Sequence, residues 1–182
     1  MPTILFDKDK RMKELMLYIA QKSKTDKAFG ATKLNKLLFY SDFLAYLNFG
    51  KAITDQDYQR LDRGPAPIRL LPLRRELIDE GAAKIESDKY FGFDQDRLVV
   101  LREPDIGEFS SDEIALVDYI IDKWWGINAH DISEESHRFL GWRYANLSEK
   151  IPYEIALVGT RDLTEKEIEY GKSLFDYELT TA

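Results

Sequence analysis

Between Lys33 and Asn48 the chain carries Leu34, Leu37, Leu38, Phe39, Tyr40, Phe43, Leu44, Tyr46 and Leu47. The spacing predicts a helix, but the apolar residues fill several of its faces rather than one stripe. Such a helix has to be enclosed by other elements. The segment is therefore expected at the centre of a domain, with the rest of the chain built around it. Thr32 is placed to cap its start, and Gly50 to end it.

The flanking patterns are more ordinary. Met12, Leu15, Met16 and Ile19 form one stripe of an amphipathic helix over about 8–21. From Ile53 to Pro67 the density of Gly and Pro, above all Gly64-Pro65-Ala66-Pro67, forbids a continuous helix and marks a shaped turn. Leu73, Leu77 and Ile78 restore helical spacing over about 70–80, with Pro72 in the first turn, where its missing N–H costs nothing. From Ala82 to Leu101 short β-branched and aromatic stretches predict two or three antiparallel strands. Ser110 and Glu113 form a capping box ahead of a helix through Ile114, Val117, Ile121 and Trp124. Asn128 caps a shorter helix reaching about His137. Ile151–Val158 reads either as a short strand or as a helix begun by Pro152. A second capping box at Thr164 and Glu167 opens a final helix over about 164–176.

The expected fold class is mainly α: a single compact helical domain spanning 1–182, with its core over about 12–158 and a small antiparallel β-hairpin or three-stranded sheet. A helix followed by a hairpin gives it a winged-helix-like outline, an analogy at the level of fold only. No signal peptide or membrane-spanning run is apparent, so a cytoplasmic location without membrane contact is expected.

Composition excludes chemistry more than it suggests any. The chain has no Cys, which removes disulfide scaffolds, thiolate zinc sites, iron–sulfur clusters and cysteine nucleophiles. His130 and His137 lie two helical turns apart with Asp131, Glu134 and Glu135 near them, but their spacing fits no established zinc pattern. A hydrolase built on Ser133 or Ser136, His137 and Asp131 lacks a nucleophile elbow. His137 is better read as a packing residue donating one hydrogen bond among aromatic neighbours. Glycine-rich phosphate loops are absent. No catalytic residue, metal, cofactor or small-molecule substrate is expected.

The net charge is −7, yet Arg60, Arg63, Arg69, Arg74 and Arg75 crowd around the Gly-Pro turn and the helix after it. Arginine suits bidentate recognition of carboxylate or phosphate. Two readings stand: Asp57, Asp62, Glu76 and Asp79 neutralise the cluster locally, or it meets an acidic partner protein, or nucleic acid if the winged-helix outline holds. Adjacent Trp124 and Trp125 cannot both point inward on one helix, which leaves Trp125 as a candidate apolar anchor.

Three segments together resemble a known family. Lys33-Leu34-Asn35-Lys36-Leu37-Leu38-Phe39-Tyr40 is similar to the opening motif of the Panacea domain, the SocA-like antitoxin family. Gly64-Pro65 resembles its Gly-Pro element, and Ser136-His137 with Trp142 its Ser-His-x-x-x-x-Trp element. The chain departs from the family pattern at Glu135, often Leu, at Arg138-Phe139, where an acidic residue is common, and after Gly64-Pro65, where Ala66 replaces the usual Val. The resemblance implies a mainly helical domain of bacteria, their phages and mobile elements that neutralises a toxin by binding it. SocA itself acts instead as an adaptor delivering its toxin to a AAA+ protease. It also implies that Leu34, Leu37, Leu38, Tyr40, Gly64, Pro65, His137 and Trp142 are scaffold. A non-catalytic antitoxin is therefore expected, with a cognate toxin protein as partner and Arg60, Arg63, Arg69, Arg74, Arg75 and Trp125 as the contact candidates. A protease adaptor or a winged-helix-like DNA-binding regulator is the alternative.

Overall fold

The computed structural model describes residues 7–158 together with Glu165, Lys166 and Glu169. Apart from those three, the helix expected over about 164–176 lies outside the described residues. Helix α1 (Lys8–Lys22) starts on Asp7, whose carboxylate accepts the Lys10 N–H at 3.0 Å, and it buries Met12, Leu15, Met16 and Ile19 completely. The stripe read from the sequence is the one that faces inward.

Helix α2 (Ala31–Phe49) is the enclosed helix its sequence requires. Leu34, Leu37, Leu38 and Ala45 join the main core with α1, while Phe39 and Phe43 join a second cluster with Tyr58 and Ile151. Lys33, Lys36, Ser41 and Asp42 are buried as well, so the helix is covered on its polar positions too. Burying one such Leu or Phe stabilises the fold by about 2–3 kcal/mol. Gly50 closes the helix in a left-handed conformation, its N–H bonded to the Tyr46 carbonyl. Thr32 does not cap it: the N-cap is Gly30, with no side-chain hydrogen bond.

The segment read as a turn is a hairpin. Strands β1 (Tyr58–Leu61) and β2 (Gly64–Pro67) pair antiparallel, with Tyr58 opposite Pro67 and Leu61 opposite Gly64. β2 tolerates its two prolines because it is an edge strand. Asp42 fixes the entry to β1: its fully buried carboxylate accepts the Thr54 N–H at 2.7 Å, the Thr54 hydroxyl at 2.5 Å and the Tyr58 hydroxyl at 2.9 Å. Burial nevertheless pushes that carboxyl up to about 6.

Helix α3 (Leu70–Asp79) leads into β3 (Ala83–Tyr90) and β4 (Phe93–Val100), a two-stranded sheet with Tyr90 opposite Phe93. The middle stretch, expected as a strand, supplies the turn instead. Helix α4 (Ser111–Lys123) carries the complete capping box, worth about 1 kcal/mol. Its Glu113 also pairs with Arg11 of α1 at 2.8 Å. Helix α5 (Ala129–Ser136) starts on Asn128 as expected, and α6 (Leu140–Tyr144) follows. The ambiguous stretch after it is both things in turn. Strand β5 (Lys150–Ile151) adds to β1, giving the order β2-β1-β5, and a 3-10 turn covers Tyr153–Val158.

The described residues are about 53% helical and 17% strand. The fold is thus mixed α and β rather than all-helical. Proline-rich segments hide strands from propensity, because what holds them is burial under α2 and not β-forming side chains. The order α3, β3, β4 is the expected helix-then-hairpin outline, while the three-stranded sheet is built elsewhere, from β1, β2 and β5. Among the described residues no helix is long and apolar enough to cross a membrane.

Candidate functional site

The three motif segments converge where α2 passes β2 and α5. Lys36 is fully buried, and its ammonium donates to the Pro65 carbonyl at 3.0 Å. No carboxylate pairs with it among the described residues. Burial pushes the Lys36 ammonium down to about 7, because a desolvated cation with a single neutral acceptor favours losing its proton. The Asn35 amide reaches the same carbonyl at 3.2 Å.

Gly64 is what lets this junction close. It sits at φ +103, where L side chains rarely go, and a Cβ there would overlap Ser136 Oγ and stand 2.5 Å from Lys36 Nζ. The motif's Gly therefore holds the place where α2, β2 and α5 meet. Lys33, one turn earlier, is also fully buried but paired: it donates to Asp26 at 2.5 Å and to the Ile127 carbonyl at 2.9 Å.

Ser136 Oγ donates to the Ser133 carbonyl at 2.7 Å, so the serine is turned into its own helix rather than toward His137. Asp131 is held by Asn128. No Ser–His–Asp arrangement is assembled. His137 stacks on Trp142, ring centroids 4.0 Å apart and 13° from parallel. Its Nδ1 lies 3.3 Å from Glu134, whereas Nε2 is buried with no hydrogen-bond partner among the described residues. The expected hydrogen bond within the aromatic region is thus replaced by stacking. Trp142 donates to the Leu61 carbonyl at 2.7 Å and carries the Arg60 guanidinium 4.8 Å over its ring. Together these contacts tie α5 and α6 to the β1–β2 turn. Tyr40 stacks on Trp124 at 5.2 Å. Among the described residues no three His, Asp or Glu side chains gather as metal ligands would.

The five arginines do not form one patch. Arg60 turns inward to Trp142, and Arg69 pairs with Asp9 at 2.7 Å and Glu76 at 3.6 Å. Arg63 and Arg75 are exposed and Arg74 half-buried, and none of the three pairs with a described residue. Asp57 is engaged by Lys150 instead. Trp125 is 43% exposed, while its neighbour Trp124 is packed against the core.

Two features escaped the sequence reading. The burial of Lys36 was signalled by its place among apolar residues on every side. The tip of the β3–β4 hairpin, where Phe91 and Phe93 stand in solvent, was hidden because Tyr90–Phe93 resembles a strand.

The motif side chains are thus spent on internal contacts: Asn35, Lys36, Gly64 and Ser136 close the junction of α2, β2 and α5, Leu34, Leu37 and Leu38 fill the core, and Tyr40, His137 and Trp142 stack or bond against neighbouring elements. The family model described as antitoxin SocA-like, Panacea domain, matches residues 34–143, more than half of the chain, and the chain belongs to that family. No curated protein and no solved structure matches it.

Proposed function

We propose that this protein is an antitoxin that neutralises a cognate toxin by direct protein–protein contact, without catalysis of its own. The observation that carries the reading is membership of the SocA-like Panacea family over residues 34–143. The geometry agrees with a binding module. Ser136 and Asp131, which would serve a hydrolase, bond within α5 and its cap, His137 stacks on Trp142, and Lys36 is sealed from solvent.

The test is co-expression with the product of the neighbouring open reading frame, with growth and co-purification as readouts. Toxicity of the neighbour alone, relieved by this chain in a recoverable complex, is the expected outcome. Rescue without a complex moves the reading to delivery of the toxin to a AAA+ protease or to repression of its gene. A toxic neighbour that this chain fails to rescue removes the antitoxin reading.

A further inference from the structure

The β3–β4 hairpin ends in a turn that folding alone does not explain. Phe91 and Gly92 are its two central residues, at φ +50 and +83, between the paired Tyr90 and Phe93. That is the conformation for which Asn-Gly or Asp-Gly is preferred. A bulky aromatic residue with positive φ is an outlier, and such strain concentrates at functional sites. Phe91 gains little in return. It is 85% exposed and Phe93 is 78% exposed, the two highest values among the large apolar residues described. Its ring meets the Tyr90 ring edge-on at 4.6 Å.

The base of the same hairpin is firmly held. Arg97 donates to the Asp26 and Lys24 carbonyls at 2.9 and 3.0 Å, and Gln95 packs against Gly30. A cleft of about 710 Å³ opens between the tip and the starts of α2 and α5. Two bare phenyl rings are thus presented on an anchored arm, so little ordering cost remains for binding.

The tip also has a charge. Asp88, Asp94 and Asp96 face solvent there beside Lys89; Lys24, Lys27 and Arg97 lie across a cleft from Asp88, but none of the three carboxylates has an ion-pair partner among the described residues. Like-signed phosphates would be repelled, which disfavours DNA at this wing-like position. A second copy of a chain with net charge −7 fits poorly for the same reason.

We propose that the β3–β4 tip is the surface that engages the toxin, with Phe91 and Phe93 entering an apolar pocket ringed by Lys or Arg on the toxin's face. This rests on the antitoxin reading above and names its contact. Buried aromatic anchors of this kind dominate binding energy, while charge around them sets partner choice.

The test is Phe91→Asn, alone and with Phe93→Ser, in the full chain co-expressed with the neighbouring gene product. Phe91→Asn restores the preferred turn sequence. Its melting temperature is expected to rise by about 1–3 °C, while affinity for the toxin falls at least about ten-fold. The opposite signs separate a contact role from a structural one. Wild-type rescue together with undiminished binding by both variants overturns the tip and leaves the antitoxin reading intact. Failure of the wild-type chain to bind the gene product overturns both. Loss of binding in Arg63→Glu/Arg75→Glu, with both tip variants binding normally, moves the contact to α3 and overturns the proposal. So does tip-dependent dimerisation seen by sedimentation of the chain alone, or tip-dependent retardation of promoter DNA.

Discussion

Lys36 is the residue whose chemistry departs furthest from its type. Its ammonium is desolvated and answered by one carbonyl, so its folded pKa of about 7 lies below the ordinary lysine value of 10.5. The unfolded chain therefore binds the extra proton between those two values, and stability rises as pH climbs from about 7 toward 10.5. Lys36→Met removes the penalty and leaves the Pro65 carbonyl with Asn35 as its donor. The variant is expected to be stabilised relative to wild type by on the order of 3–5 kcal/mol at most near pH 6, with the difference shrinking by pH 10. Paired thermal melts at the two pH values check this, and a difference independent of pH contradicts it. Lys33 differs by one carboxylate: burial lowers it too, but Asp26 opposes the shift. The sequence shows both lysines in the same apolar helix without saying which has a counter-ion.

At the scale of elements, helices α1 to α5 and the β3–β4 hairpin were legible, whereas α6 and the β1–β2 hairpin were not. The α1 stripe, the Ser110–Glu113 capping box, the Asn128 cap and the Gly50 stop are local signals, each decided within one or two turns. The sequence of β2 reads as a turn because Pro and Gly dominate it, and its strand character comes from lying between β1, α2 and α5. Gly64 shows the coupling. Gly64→Ala asks for a side chain at φ +103 and in the space of Ser136 Oγ and Lys36 Nζ, so it is expected to cost about 3 kcal/mol or more. Denaturant unfolding measures it, and a loss below about 1 kcal/mol would mean that Lys36 and Ser136 move aside freely. The sequence does not show that Phe91 and Gly92 turn between the strands that end at Tyr90 and begin at Phe93, for a complementary reason: β-propensity is indifferent to whether an aromatic residue lies along a strand or at its turn.

For the whole molecule, the net charge of −7 acts through the surface left exposed. The inward-facing Arg60 and the paired Arg69 dissolve the basic patch that sequence proximity suggested, whereas the acidic tip of β3–β4 survives. Association with a basic partner is therefore expected to be steered electrostatically, with its rate constant falling roughly ten-fold as ionic strength rises from about 20 to about 200 mM. Stopped-flow mixing at several salt concentrations checks this, and a rate indifferent to salt contradicts the complementarity. The sequence by itself determined the enclosed central helix, the Ser110 and Asn128 caps, the lack of any Cys and the family resemblance, because these depend on residue type and short spacing. Tertiary structure alone decided that the 58–67 segment is a hairpin, that Lys36 is buried with no carboxylate partner among the described residues, that the arginines disperse and that Phe91 and Phe93 stand exposed. Each of those outcomes depends on which distant segments pack together, and hydrophobic burial, being non-directional, leaves no local trace of the choice.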